Sequence, residues 1–507
     1  MPEARAAPAA GRWAALALLV ACAGLVAGAE PPEYGVLRSN VASMFVPGAA
    51  GTVGQGLADV LNGWEYTLPL DYVRKGMAYV GPSLRLRRVM ADLMAGKPVE
   101  VTVLGGSIST GAVASRKQAA TDPNDLWSLV RIYMQTNIDG DVVFKNNARS
   151  ATRSYITSLC LEKFLDETAD LVFLEFIAND GSEMDTNLLD QAKARFFERF
   201  LRNVLGKPSA PAVVMMQFMV NEMAYPPEGQ DGKAKRSYSA TPEDTYYNLA
   251  QYYDIPTLSF RYATYQLGES GRLAGFDWAT LMGPDRLHPA DKGHRVAADL
   301  VVYLLQQTAI GLAVHPAGAA EAATKAAPLP PPMFPGNEVG SSKPICAMGR
   351  NLTEFITSDA GWTPAQSTEN AKYPTDGFET TTVGAPLTLT VDTTSPDGRP
   401  VTVFFLYTRA QSGFGTAEIT CANGCTCGPD YLDGTLTYDQ VVTFIDSITP
   451  TAAPACNINI ALAANSTAGS KLRITGMAVT SDPGSLTTAR IGEEKYMAWL
   501  LGENWAA

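Results

Sequence analysis

Two folds follow one another in this chain: an α/β domain on a doubly wound parallel sheet, then an all-β sandwich. Three observations predict that order. Between residues 85 and 312, β-branched or apolar runs alternate with segments of helical period, the pattern of a parallel sheet covered on both faces. Residues 317–340 are rich in Ala and Pro, including Pro328-Leu-Pro-Pro-Pro332, a composition that makes a semi-stiff spacer. Beyond the spacer, short Thr-, Val- and Phe-rich runs are separated by Gly, Pro, Asp and Asn, as in a β-sandwich.

Residues 83–95 space their apolar positions helically and stop at Gly96-Lys-Pro98. Val99-Glu-Val-Thr-Val-Leu-Gly105 follows as a strand. Val and Thr suit a buried strand, and Gly105-Gly106 allows a sharp exit from it. Residues 125–138 predict an amphipathic helix with Asn124 or Asp125 as N-cap. Residues 141–145 predict a second strand and 154–167 a helix. Residues 170–177 read as a third, nearly continuous apolar strand, 187–205 as a helix, and 212–219 as a fourth strand. A helix at 241–253, a short fifth strand at 255–260 and a closing helix at 291–307 complete the domain. In the last third, strands are predicted at 387–391, 401–407, 441–445, 457–461 and 471–475.

The N-terminus has Arg5 and Arg12 ahead of an apolar run that ends Ala27-Gly-Ala29. That is the pattern of a secretory signal peptide, with an uncleaved signal anchor as the rival. The chain thus divides into 1–29, a signal peptide or signal anchor; 30–84, an N-terminal extension with few clean periods; 85–312, the α/β domain; 313–342, the linker; 343–490, a cysteine-containing β-sandwich; and 491–507, a tail. Beyond the signal, the cysteines are Cys160, Cys346, Cys421, Cys425, Cys427 and Cys456. Five lie in the last third, which points to a disulfide-stapled module whose pairing stays open; zinc at 421–427 is the alternative. Asn351-Leu-Thr353 and Asn465-Ser-Thr467 are glycosylation acceptors on a secretory route. The net charge of −12, with no long basic run, argues against nucleic acid as a partner. A membrane enters only if the N-terminal segment is uncleaved, and oligomeric state is not legible.

Ser107 stands just past the end of the first strand, where open α/β sheets place their chemistry. A serine nucleophile near neutral pH needs a general base, usually histidine. The chain has three histidines. His315 opens the linker, and His294 lies inside the closing helix. His288, in Asp285-Arg-Leu-His288-Pro289, falls on the same sheet edge as Ser107. Asp285, three residues earlier, can fix its tautomer and stabilise the imidazolium. Phe176-Ile-Ala-Asn-Asp-Gly181 closes the third strand and directs the Asn179 amide to that edge; an ordinary Asn-Asp-Gly turn is the plainer reading.

These blocks, in this order, resemble the SGNH (GDSL-like) hydrolases. The first is Gly105-Gly-Ser-Ile-Ser109, with Gly106 where many relatives carry Asp; the third is Ala178-Asn179-Asp180; the last is Asp285-x-x-His288, with Pro289 and Gly293-His294 following. The likeness implies a flavodoxin-like sheet, Ser107 as nucleophile, His288 as base and Asp285 as its partner. It implies an oxyanion hole from Ser107, Asn179 and a second-block residue in Asn146-Asn-Ala-Arg-Ser-Ala-Thr152. That residue reads as Ala151, or as Ser150 by a one-residue slip; relatives usually have glycine there. No metal or organic cofactor is implied. The layout of signal, hydrolase domain and β-domain resembles SGNH-type proteins of algae and plants.

The expected function is serine-dependent ester hydrolysis that removes acyl groups, such as acetyl, from a glycan or another extracytoplasmic ester. The same machinery could pass the acyl group to a sugar hydroxyl. A lipase and a non-catalytic glycan-binding wall protein are the other readings. The substrate is an acylated small molecule or polysaccharide. In the β-domain, Trp362, Tyr373, Phe378, Tyr407, Phe414 and Tyr431 are candidates to stack on sugar rings, though most such aromatics form core. The polar loop at 225–239 is a candidate for shaping specificity.

Overall fold

A computed structural model of the chain describes residues 52–481, except 120, 139, 150–152, 181–191, 219–242, 339–343, 367–375, 437–440, 465 and 467–468. The targeting segment, Ser150, Ala151, Tyr373, the loop at 225–239, Asn465 and the tail therefore lie outside the described residues.

The N-terminal part is a six-stranded sheet. Its strands are β1 (Met77–Tyr79), β2 (Val99–Gly105), β3 (Val142–Asn146), β4 (Leu171–Glu175), β5 (Ala212–Gln217) and β6 (Thr257–Ser259), in the order β1-β6-β5-β4-β2-β3. Neighbours pair in parallel except β1, which joins β6 antiparallel. Setting β1 aside, the order is that of a flavodoxin-like doubly wound sheet, whose switch point lies between β2 and β4. The pleat divides the central strands cleanly. Val101, Val103, Leu171, Phe173, Val214 and Met216 enter the core on one face. Leu104, Val172, Leu174, Val213 and Met215 enter the core on the other. Burial on both faces is why these strands are mostly apolar, with Glu100 and Thr102 of β2, Glu175 of β4 and Gln217 of β5 as the polar exceptions.

Helices α1 (Thr52–Asn62), α2 (Leu84–Met94), α3 (Leu126–Asn137), α4 (Ser154–Leu159), α5 (Ala192–Leu205), α6 (Glu243–Tyr252) and α7 (Asp291–Val314) surround the sheet. Helix α7 is long and apolar enough to cross a membrane, but most of it is buried in the core here.

The domain begins earlier than residue 85. The segment expected to be a mere extension adds β1 to the sheet and buries Leu57, Val60 and Leu68. Asp299 of α7 holds it, accepting from Trp64 Nε1 at 2.8 Å, Thr67 N at 3.0 Å and Leu68 N at 2.7 Å. Three-residue β1 is too short to show a period, which is why the sequence did not mark it.

The Ala/Pro-rich linker is also not a free spacer. It forms α8 (Ala319–Ala323), whose Glu321 pairs with Arg87 of α2 at 2.8 Å. Phe334 is buried against the core that contains Phe197 of α5. Phe334 N and Asn337 Nδ2 donate to Glu198 Oε2 at 3.0 and 2.8 Å. The segment is a strap, held by side-chain contacts that composition does not encode. The helix expected at 154–167 is also broken, into α4 and Leu161–Phe164, with Cys160 at the break.

The C-terminal domain packs two sheets. One has the order β16 (Val441–Ile448), β12 (Thr402–Ala410), β18 (Gly469–Thr480), β10 (Asp376–Thr380), β9 (Thr363–Gln366), with β7 (Ile345–Met348) and β13 (Gly413–Phe414) also on β18. The other runs β15 (Asp430–Asp433), β14 (Thr416–Ala422), β17 (Cys456–Leu462), β11 (Pro386–Val391), β8 (Ile356–Ser358). Apart from two-residue β13, the pairing is antiparallel. Inward Leu387, Leu389, Ile458 and Ile460 meet Phe405, Tyr407 and Ile474 in one core. Trp362, Phe378, Tyr407 and Phe414 are core residues, whereas Tyr431 is 46% exposed.

The disulfides are Cys421–Cys427, Cys425–Cys456 and Cys160–Cys346. The first two commit the sulfurs weighed above for zinc. The third joins the two domains across a separation of 186 residues. Around it, Leu159 and Phe164 of the first domain pack with Phe404, Ile445 and Ala478 of the second. Closing so long a loop should stabilise the native pair by about 2–4 kcal/mol. Replacing both Cys160 and Cys346 with serine is expected to lower the Tm of the full chain, measured by calorimetry, and to separate the melting of the two domains.

Candidate functional site

The site gathers where β2, β4 and the loop before α7 end on one edge of the sheet. After Gly105 the chain turns helically: Thr110 N donates to Gly106 O at 3.1 Å and Ala112 N to Ser107 O at 3.0 Å. This leaves Ser107 half-buried at the mouth of the switch point.

A tight loop delivers the imidazole. Met282 and Pro289 form an antiparallel bridge, and Gly283 N donates to His288 O at 2.7 Å. Between them Asp285 Oδ1 accepts from Leu287 N and His288 N, each at 3.0 Å. Its Oδ2 lies 2.7 Å from His288 Nδ1, while His288 Nε2 lies 2.7 Å from Ser107 Oγ. Three side chains read from the sequence therefore converge in one relay. With Nδ1 donating to the carboxylate, Nε2 is the acceptor that faces the hydroxyl. Burial, the largest single influence on Asp285, raises its carboxyl. The hydrogen bonds from the His288 side chain and main chain outweigh that together and hold it below the usual carboxylate range.

Asn179 sits in the short helical turn Ile177–Asp180 that follows β4. It is 6% exposed, and its Oδ1 accepts no hydrogen bond among the described residues. The amide lies against the Cα of Gly106: a Cβ built there would stand 1.8 Å from Asn179 Oδ1. Glycine before the serine is thus what makes room for this amide. Ala151, the expected second donor, and its rival Ser150 lie outside the described residues. The chain resumes at Arg153, and Ser154 N donates to Asp180 Oδ1 at 2.9 Å. Tyr246 OH donates to Asp180 Oδ2 at 2.6 Å. Burial raises this carboxyl.

His294 is fully buried, and burial is the main cause that pushes it down to about 4. It is a neutral brace: Nε2 donates to Ala112 O at 3.3 Å and Nδ1 accepts from Leu126 N at 3.4 Å. Asp291, at the start of α7, accepts from Ser115 N at 2.7 Å and Ser115 Oγ at 2.6 Å. Sequence reasoning gave neither residue a part in holding the turn that follows Ser107. The signal for His294 was its place in a buried helix, where an imidazole needs partners on both nitrogens.

A hydroxyl, an imidazole and a carboxylate in this geometry, on a flavodoxin-like sheet joined to a β-sandwich, define the structural class. Within it, the chain is similar to solved esterases of two-domain build. A two-domain esterase (CEX) active on acetylated mannans, co-crystallised with mannopentaose, matches with a TM-score of 0.56 and 19% identity, over 80% of this chain and 97% of that chain. A second structure of such an esterase, also described as active on acetylated mannans, matches with a TM-score of 0.54 and 19% identity over the same shares. An acetyl xylan esterase covers 40% of this chain and 98% of its own, at 18% identity and a TM-score of 0.30. At such identities the two-domain likeness shows the fold. No protein-family model matches the chain. No curated protein matches it by sequence.

Proposed function

We propose that this chain is a serine-dependent carboxylic ester hydrolase of the SGNH type that removes acetyl groups from a polysaccharide. The observation that carries the reading is the Ser107–His288–Asp285 relay, both of its links 2.7 Å long. As Ser107 Oγ attacks the acyl carbon, His288 Nε2 takes its proton. Asp285 stabilises the imidazolium that forms. The charge that develops on the acyl oxygen meets the Ser107 main-chain N–H and the Asn179 side chain, and the second-block residue, Ala151 or Ser150, is the expected third donor. His288 then returns its proton to the departing sugar oxygen. Water, activated by the same imidazole, resolves the acyl-enzyme and frees acetate. The activities stated for the two-domain neighbours support acetylated glycans as the substrate class. Three disulfides and the N-terminal pattern support a place on the secretory route.

The test is acetate release from acetylated mannan and xylan, alongside p-nitrophenyl esters of two to twelve carbons. Wild type is expected to release acetate from a glycan and to prefer the shortest ester, and Ser107→Ala to do neither. A preference for long acyl chains with no acetate from any glycan would replace this reading with a lipase.

A further inference from the structure

Directly beneath the turn that carries Ser107 lies a carboxyl group for which the relay has no role. Glu175 ends β4 fully buried, in register with Gly105 at the end of β2. Its main-chain oxygen accepts from Gly106 N at 3.2 Å. Its side-chain Oε2 accepts from Ser109 Oγ at 3.0 Å, and Ser109 Oγ accepts in turn from Trp127 Nε1 at 2.9 Å. Asn146 Nδ2 donates to Ser109 O at 2.8 Å, so Ser109 is held on both its side chain and its main chain. There is no space for a side chain at Gly105, where a Cβ would stand 2.6 Å from Ser109 Oγ and 2.7 Å from Glu175 O. Residues 105–109 are thus folded around the Glu175–Ser109 pair, with Ser107 in the middle of the fold.

Every other residue of β4 is buried and apolar, and a carboxyl in such a strand destabilises unless it is hydrogen-bonded. We propose that Glu175 is a positioning residue for the reaction: by holding Ser109 it fixes the Gly105–Ser109 turn, and so keeps Ser107 Oγ within bonding distance of His288. This rests on the serine-esterase reading above. Glu175 touches neither the reacting atoms nor the substrate, so its effect falls on how well the hydroxyl is aimed. Small errors of aim cost rate rather than binding, about a hundredfold for a displacement near 1 Å. The group acts as a neutral acid. Burial pushes its carboxyl up to about 8, although hydrogen bonds with Ser109 and Gly106 pull it partly back. An amide of the same shape should therefore replace it.

The experiment measures kcat and KM for p-nitrophenyl acetate in four full-length proteins: wild type, Glu175→Gln, Glu175→Ala and Ser109→Ala. Circular dichroism checks that each is folded. Glu175→Gln is expected to stay within about fivefold of wild type in kcat, while Glu175→Ala and Ser109→Ala lose about a hundredfold with KM within about twofold. If Glu175→Ala does not fold, Ser109→Ala decides, since it removes the link but leaves the carboxyl in place. Unchanged kcat in Ser109→Ala, a loss confined to KM, or a glutamine variant as poor as alanine would overturn the proposal. Wild type separates the two levels of inference. If it cleaves no acetyl ester and Ser107 takes up no phosphonate, the esterase reading falls and this one with it. If it does both, a negative result in the variants removes the positioning role alone.

Discussion

Replacing Ser107 with alanine is expected to lower kcat on an acetyl ester by at least about 10⁴-fold, and His288→Ala should match it. The reason is that hydroxyl and imidazole act as one unit. Without the imidazole 2.7 Å away, the hydroxyl has no acceptor for its proton; without the hydroxyl, the imidazole has nothing to activate. The double variant should therefore be no slower than either single one, a non-additivity that independent binding contacts would not produce. Asp285→Asn should cost less, about 10²- to 10³-fold, because solvent shares its work: its side chain is 42% exposed, against 15% for His288. Steady-state rates on p-nitrophenyl acetate check the series, and mass spectrometry of protein treated with an organophosphonate checks the assignment. The adduct should map to Ser107 in wild type and be absent from His288→Ala. A Ser107→Ala protein that still turns over at wild-type rate would remove the mechanism.

The parts of the fold that were legible are those that physics repeats. β2, β4 and β5 are covered on both faces, so their sequences are rich in apolar and β-branched residues and stand out from their surroundings. Ser107, Asn179 and His288 were legible for a related reason. Ser107 and Asn179 follow strands that could be placed, a parallel sheet brings the ends of those strands to one edge, and His288 stands just before the closing helix. What stayed hidden depends on partners distant in sequence. Met77–Tyr79 is a strand because β6 offers an edge, and nothing in three residues announces it. The strap after residue 314 has a linker's composition, but it is fixed by Phe334 on Glu198 and by Glu321 on Arg87, pairs that lie far apart in the chain. Cys160 stands far from every other cysteine, so its bond to Cys346 was not readable from spacing. Glu175 did leave a trace. A single acid inside Leu171-Val-Phe-Leu-Glu-Phe176 must be hydrogen-bonded or protonated, and that requirement alone marks the residue for attention.

The glycine that precedes the serine gives the sharpest separation of structure from catalysis. Gly106→Ala is expected to lower kcat about a hundredfold and to leave Tm within a few degrees of wild type. The backbone at Gly106 is not in the left-handed region, so alanine brings no conformational strain there. What it brings is a methyl group 1.8 Å from Asn179 Oδ1, and the amide has to move. A displaced amide no longer meets the charge that develops on the acyl oxygen, and one such donor is worth about 10²–10³ in rate. Asn179→Ala should show the full loss directly. The combination then tests the cause: with no amide left to displace, the Gly106→Ala change should cost almost nothing further, so the double variant should be no slower than Asn179→Ala. Additive losses would mean that alanine at 106 acts by disturbing Ser107 itself and not by displacing the Asn179 amide.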